Sequence, residues 1–113
     1  MIKVLWELDE AVALLDLYIK NGKVLQVPDA QLIKLGEIYK KRAQQRGITT
    51  DDKFRNLAGL RMQIGCIHYV VTGGKEGLAR AAKVFYEAYD LYKKNPVQFQ
   101  AILDTFYKTY GCD

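Results

Sequence analysis

Lys53-Phe54-Arg55-Asn56-Leu57-Ala58-Gly59-Leu60-Arg61-Met62-Gln63-Ile64-Gly65-Cys66-Ile67 decides how the rest of this 113-residue chain is read. Its apolar residues fall at 54, 57, 60, 64 and 67 and continue to Val71. Steps of three and four place them on one face of an α-helix. The spacing predicts a helix over residues 53–71, or one that starts a turn later. The other face carries Arg55, Asn56, Arg61 and Gln63. These side chains make forked hydrogen bonds to base edges or phosphates. A DNA-reading helix needs one packed side and one Arg/Asn/Gln-rich side. Any amphipathic surface helix also looks like this.

The same periodicity extends outward from this segment. Leu8, Val12, Leu15 and Ile19 repeat at steps of four, three and four, which predicts a helix from Glu7 to Lys20 closed by Asn21-Gly22. A short extended connector ends at Pro28, with Asp29 placed to cap a second helix over about residues 30–45. Thr49-Thr50-Asp51-Asp52 offers capping chemistry for the third helix. Gly59 and Gly65 lie inside that helix, where a missing side chain permits another backbone to come close. Residues 71–75 form a loop, residues 77–94 a fourth helix, and Pro96 opens a fifth that runs to Tyr110. The expected fold is all-α: one domain of five helices over residues 1–113. Residues 1–72 would form a helix-turn-helix-like three-helix unit, with residues 73–113 a C-terminal helix pair packed on it.

Composition fits one globular domain. Half of the residues are hydrophobic and 27% are charged, enough apolar mass for a core and too little charge for wholesale disorder. The net charge of +4 favours a polyanionic partner without requiring one. That charge is spread: residues 1–50 hold 8 Lys/Arg and 6 Asp/Glu, and residues 51–113 hold 9 and 7. The densest run, Lys40-Lys41-Arg42 followed by Arg46, suits the C-terminal end of a helix dipole and also suits phosphate contacts. Cys66 and Cys112 are the only cysteines, and two free thiols are the simpler reading over a disulfide. No signal-peptide core follows Met1 and no apolar run could span a bilayer, so a cytoplasmic protein without membrane contact is expected.

The residues assemble no catalytic constellation. His68 is the single histidine, borders the apolar stripe, and stands two residues from Cys66, so the two do not face each other on a helix. Asp51-Asp52 fits capping better than metal binding. Thr72-Gly73-Gly74-Lys75 lacks the frame of a phosphate loop. Of the eight tyrosines, Tyr86, Tyr89, Tyr92, Tyr107 and Tyr110 crowd the C-terminal helix pair; they read mainly as core, with hydroxyls reaching the surface. Trp6 reads as a core anchor. The expectation is a protein without catalytic residues, metal or cofactor.

Three motifs together resemble a known family. Trp6-Glu7, then Ala11 and Leu14-Leu15-Asp16-Leu17-Tyr18, is similar to the opening of the N-terminal region of many predicted HNH-type restriction endonucleases. Phe54-Arg55-Asn56 with Gly59 and Ile64 resembles that family's FRN…G signature. Gly77-Leu78-Ala79-Arg80-Ala81-Ala82-Lys83 with Phe85 resembles a third segment, in the same order and spacing. The resemblance covers roughly residues 4–105. It implies a DNA-recognition region ahead of a nuclease, and the first three helices resemble a Myb/SANT-type helix-turn-helix. By that resemblance Arg55, Asn56, Gly59, Arg61 and Gln63 face DNA. The DNA-binding reading adds Lys40, Lys41, Arg42 and Arg46 as phosphate contacts, with Lys75 and Arg80 as further candidates.

The departures from the pattern are specific. No nuclease module follows, so cleavage is not expected. Gln63 stands for the family's lysine, Cys66 for its asparagine, Ile67 for its second aromatic and Leu57 for its proline. The first expectation is a non-enzymatic binder of double-stranded DNA. The second is a small phage or plasmid counter-defence protein, an anti-CRISPR or anti-restriction inhibitor, that binds a nucleic-acid-guided or restriction nuclease through its basic face.

Overall fold

Helix α1 (Leu8–Lys20) buries six consecutive residues, Glu10 to Leu15. A helix covered on more than one side belongs inside a helical assembly rather than on its surface. The computed structural model describes residues 4–111, and α1 lies at its centre. Four further helices follow: α2 (Asp29–Gln45), α3 (Leu57–Val71), α4 (Lys83–Lys94) and α5 (Pro96–Tyr110). α1 packs on α3, α4 and α5, while α2 touches α3 and α5, and α4 touches α3 and α5. The outer helices therefore close a ring in the order α2–α3–α4–α5, with α1 through its middle. Tyr18, Tyr39, Phe85 and Phe106 are the largest side chains sealed in the core. The described chain is all-helical, as its periodicity implies.

Helix boundaries show where local signals were overruled. The cap of α3 is Asn56, whose side chain accepts from the Gly59 N–H at 2.8 Å. The expected Thr49–Asp52 cap lies a turn too early; Asp51 Oδ1 instead accepts from the Lys53 N–H within a separate turn. Pro28 occupies the cap position of α2, so Asp29 lies in the first turn and its carboxylate binds Arg61. Residues 46–56 join α2 to α3, a longer connection than the turn of about three or four residues in a helix-turn-helix. Cys66 is buried, and burial pushes its thiol pKa up. Its expected relation to Cys112 lies outside the described residues.

The largest correction concerns the fourth helix, which starts at Lys83 rather than at residue 77. Residues 77–82 are held to α3 instead. The Leu78 N–H donates to the Gly65 carbonyl at 3.0 Å, and the Leu78 side chain lies where a Gly65 Cβ would project. Gly77 sits at φ +96°, a conformation that disfavours side chains. A Cβ there would stand 2.5 Å from the Gly65 oxygen and 2.6 Å from the Tyr69 nitrogen. Two glycines thus let a loop lie directly on a helix backbone, and helix propensity yields to that contact.

Gly22 supplies the comparison for a test, because it has φ +90° with nothing near its missing Cβ. Gly22→Ala should cost about 1 kcal/mol from backbone strain alone. Gly77→Ala adds overlap with backbone atoms that cannot move aside and should cost roughly twice that or more. Urea denaturation of both variants measures the difference.

Candidate functional site

The expected DNA-facing residues divide into two groups. Arg55 belongs to the interior: its side chain is 7% exposed and grips the buried Glu10 carboxylate, Nε to Oε2 at 3.1 Å and Nη2 to Oε1 at 3.2 Å. Its guanidinium stacks 4.1 Å from the Trp6 ring centre and 4.5 Å from that of Phe54. Nη2 also donates to the Leu5 carbonyl. Asn56 is the α3 cap, and a Cβ on Gly59 would meet the Asn56 Oδ1 at 3.0 Å. The Phe-Arg-Asn…Gly pattern is therefore accounted for by folding: a core ring, a buried charge clamp and a cap that needs a small neighbour.

Arg42 is interior as well, with its side chain 3% exposed. It donates Nε to Asp9 Oδ2 at 3.0 Å and Nη2 to Asp9 Oδ1 at 2.9 Å, and stands 3.2 Å from Glu7 and 3.8 Å from Glu10. Burial opposes its charge, but hydrogen bonds and attraction from Asp9, Glu10 and Glu7 outweigh burial and raise its pKa. Neither Arg42 nor Arg55 is available to a phosphate without opening the core. Tyr39 completes the cluster, donating its hydroxyl to the Glu10 carbonyl at 2.6 Å. Its phenol is fully buried, and burial first, with Glu10 second, pushes its pKa well above 10.0. Glu10 is the residue that sequence reasoning missed. Its position four residues before Leu14, on the apolar stripe of α1, was the available signal.

The second group stays at the surface. Arg61 holds Asp29, and their side chains are 35% and 62% exposed; it also reaches the Leu25 carbonyl at 3.3 Å. Lys40, Arg46, Lys75 and Arg80 are exposed and Lys41 is half-buried. Arg46 stands 3.8 Å from Glu7. In the helix ring α3 lies between α2, which carries Lys40, and α4, whose preceding segment carries Lys75 and Arg80. Beside α3 opens a cleft of about 700 Å³, walled by Trp6, Phe54, Leu60 and Met62, with Gln63 on its margin. Gln63 Oε1 is buried without a hydrogen-bond partner among the described residues.

His68 forms a relay. Its Nδ1 lies 2.7 Å from the Tyr18 hydroxyl and its Nε2 lies 2.9 Å from Glu76 Oε1. Carboxylate, imidazole and hydroxyl in that order can activate a nucleophile. Here the hydroxyl belongs to a tyrosine with no exposed surface, so no substrate reaches it. The relay instead ties α1, α3 and the loop after α3 together. Among the described residues, no group of three or more His, Cys, Asp and Glu side chains could hold a metal ion. No helix among them is long and apolar enough to cross a membrane.

No family model matches this chain, and no curated protein and no solved structure matches it either.

Arg55 has φ +47°, an unfavourable backbone for a residue with a side chain. Arg55→Ala and Arg55→Gly both strip Glu10 of its closest cation and should lose roughly 3 kcal/mol. Arg55→Gly should retain about 1 kcal/mol more, because glycine alone relieves the strain. Chemical denaturation checks the order. Tyr39 sets an alkaline limit. Its folded pKa lies above its unfolded value, so its contribution is present below about pH 10 and is lost as the pH rises through the folded pKa. Stability measured from pH 8 to 11.5 should fall above about pH 10, and Tyr39→Phe should flatten that fall.

Proposed function

We propose that this chain is a non-catalytic module that binds double-stranded DNA, with the exposed edge of α3 at the contact. The observation that carries the reading is the state of Arg61. Its partner Asp29 is itself at the surface, 62% exposed. An exposed pair of this kind contributes about 0–1 kcal/mol, so a phosphate or a guanine edge replaces Asp29 at little cost. Gln63, two residues on, brings an amide whose oxygen is unsatisfied. Lys40 on α2, and Lys75 and Arg80 in the segment that follows α3, are further exposed cations. The net charge of +4 agrees with a polyanionic partner. Arg55, Asn56, Gly59 and Arg42 drop out of the contact set, because each is engaged in holding the fold.

A second reading is favoured by one feature of α3. Met62, on that helix, is 49% exposed, a large apolar side chain of the kind protein contacts cover. This supports the alternative of an inhibitor seated on a nuclease, where an acidic patch or nucleic-acid channel would take the cations.

Fluorescence anisotropy with random duplex DNA across a salt series tests the first reading. Affinity should fall steeply with salt, and Arg61→Ala should weaken binding by roughly 1–3 kcal/mol if the side chain reads a base. If Arg61 contacts a phosphate, the salt slope should instead drop by about 1. A folded protein with no duplex affinity at low salt would sink the DNA reading. A nuclease recovered in fixed stoichiometry after DNase treatment would then establish the second.

A further inference from the structure

We propose that His68 is a proton-driven switch for the turn after α1: uptake of a second proton by its imidazole hands the Tyr18 hydroxyl hydrogen to the Lys23 carbonyl. This inference is independent of the DNA reading and rests on a count of hydrogens. The Tyr18 hydroxyl has a single hydrogen and two acceptors in reach, His68 Nδ1 at 2.7 Å and the Lys23 carbonyl oxygen at 3.2 Å. On the far side of the ring, Nε2 lies 2.9 Å from Glu76 Oε1. A carboxylate only accepts, so Nε2 carries a hydrogen there. With a single ring proton Nδ1 is therefore bare and takes the Tyr18 hydrogen, and the Lys23 carbonyl goes without it. With a second proton, Nδ1–H donates to the Tyr18 oxygen, and the hydroxyl rotates its hydrogen to Lys23. The added proton comes from water, and no covalent bond of Tyr18 breaks. Only the doubly protonated ring gives each of these contacts a hydrogen of its own.

The switch acts on a strained turn. Lys23 has φ +60°, which is costly for a residue with a side chain. Tyr18 holds it twice: its backbone carbonyl accepts from the Lys23 N–H at 3.1 Å, and its hydroxyl faces the Lys23 carbonyl. Burial first, then Tyr89 and Glu76, raise the Tyr18 phenol above its ordinary 10.0, so it keeps its hydrogen while the imidazole changes charge. The titratable groups described around the ring are Tyr18 from α1, Glu76 from the loop after α3, and Tyr89 from α4, which bears on Tyr18. Lys23 offers its carbonyl and is itself exposed. Charge gained by the ring is met by the Glu76 carboxylate, whose hydrogen bond it strengthens. Imidazole changes charge between about pH 5 and 8, so acid closes the turn onto Tyr18 and alkali releases it.

Nuclear magnetic resonance of the isotope-labelled full chain tests this. His68 is the only histidine, so the imidazole nitrogen signals belong to it alone. At the alkaline end of a titration from about pH 8 to 5 they should show a hydrogen on Nε2 and a bare Nδ1. As the pH falls, the Lys23 carbonyl carbon should move downfield with the same midpoint as the His68 nitrogens. The Leu25 carbonyl carbon, in the same connection but bonded to Arg61, should stay still. In Tyr18→Phe, His68 should still titrate while the Lys23 carbon no longer follows it. His68→Gln should leave the Lys23 carbon flat. A hydrogen on Nδ1 at the alkaline end, or a Lys23 carbon that ignores the His68 titration, would overturn the proposal. So would equal movement of the Lys23 and Leu25 carbons, or an unchanged Lys23 response in Tyr18→Phe, since either makes the effect one of charge alone. The Leu25 comparison decides between hydrogen and charge in the native chain even if Tyr18→Phe does not fold.

Discussion

A carboxylate sealed inside a helical core is costly unless cations meet it, and the Glu10 side chain is 1% exposed. Much of this structure is arranged around that requirement. Arg55 comes from the connection between α2 and α3, and Arg42 comes from the last turn of α2. Both must reach the same end of α1. The Glu10 carboxylate also accepts from the Glu7 N–H at 3.1 Å, so it closes the first turn of its own helix. Three separate chain segments are thereby registered at one point. A purely apolar contact would tolerate sliding, whereas paired charges in a low dielectric do not.

The left-handed backbone at Arg55 follows from this arrangement. Arg55 must turn its side chain inward while Phe54 before it fills the core and Asn56 after it caps α3. Three consecutive residues with three different destinations cannot share a regular helix, so α3 begins only at Leu57. The strain at Arg55 is offset by two charge-assisted hydrogen bonds and by the Trp6 and Phe54 rings on the guanidinium. The same turn forms one side of the cleft, so clamp and cleft share residues.

The surface that remains for a partner is consequently narrower than the sequence implied. Arg55 and Asn56 lie on the polar side of an idealised helix over residues 53–71, and on that projection they face solvent. They lie outside α3 in the folded chain. Arg61 and Gln63, inside it, keep the exposure that the projection assigns them in part. The basic run at residues 40–46 divides likewise: Lys40 and Arg46 stay outside, Lys41 is half-buried, and Arg42 turns in toward Asp9. A charge count along the chain cannot separate these, because identical residue types serve the core and the surface.

The sequence by itself determined the helix content and the inner faces. Periods of three and four set α1, α2 and α5 almost to the residue, since apolar side chains must share one side to be buried. The start of α3 at Leu57, behind its cap Asn56, was open by one turn, because several capping residues lay in a row. The start of α4 was legible only in part. Gly77 and Gly65 were visible as glycines, but their meeting needs two segments brought together, and no local propensity encodes that. Tertiary structure alone decided that α1 runs through a ring, that Glu10 is a buried charge, and that Arg42 and Arg55 answer it. The physical reason is range: periodicity is written in neighbours a few residues apart, whereas Glu10 and Arg55 stand 45 residues apart in the chain and meet only once the helices have packed.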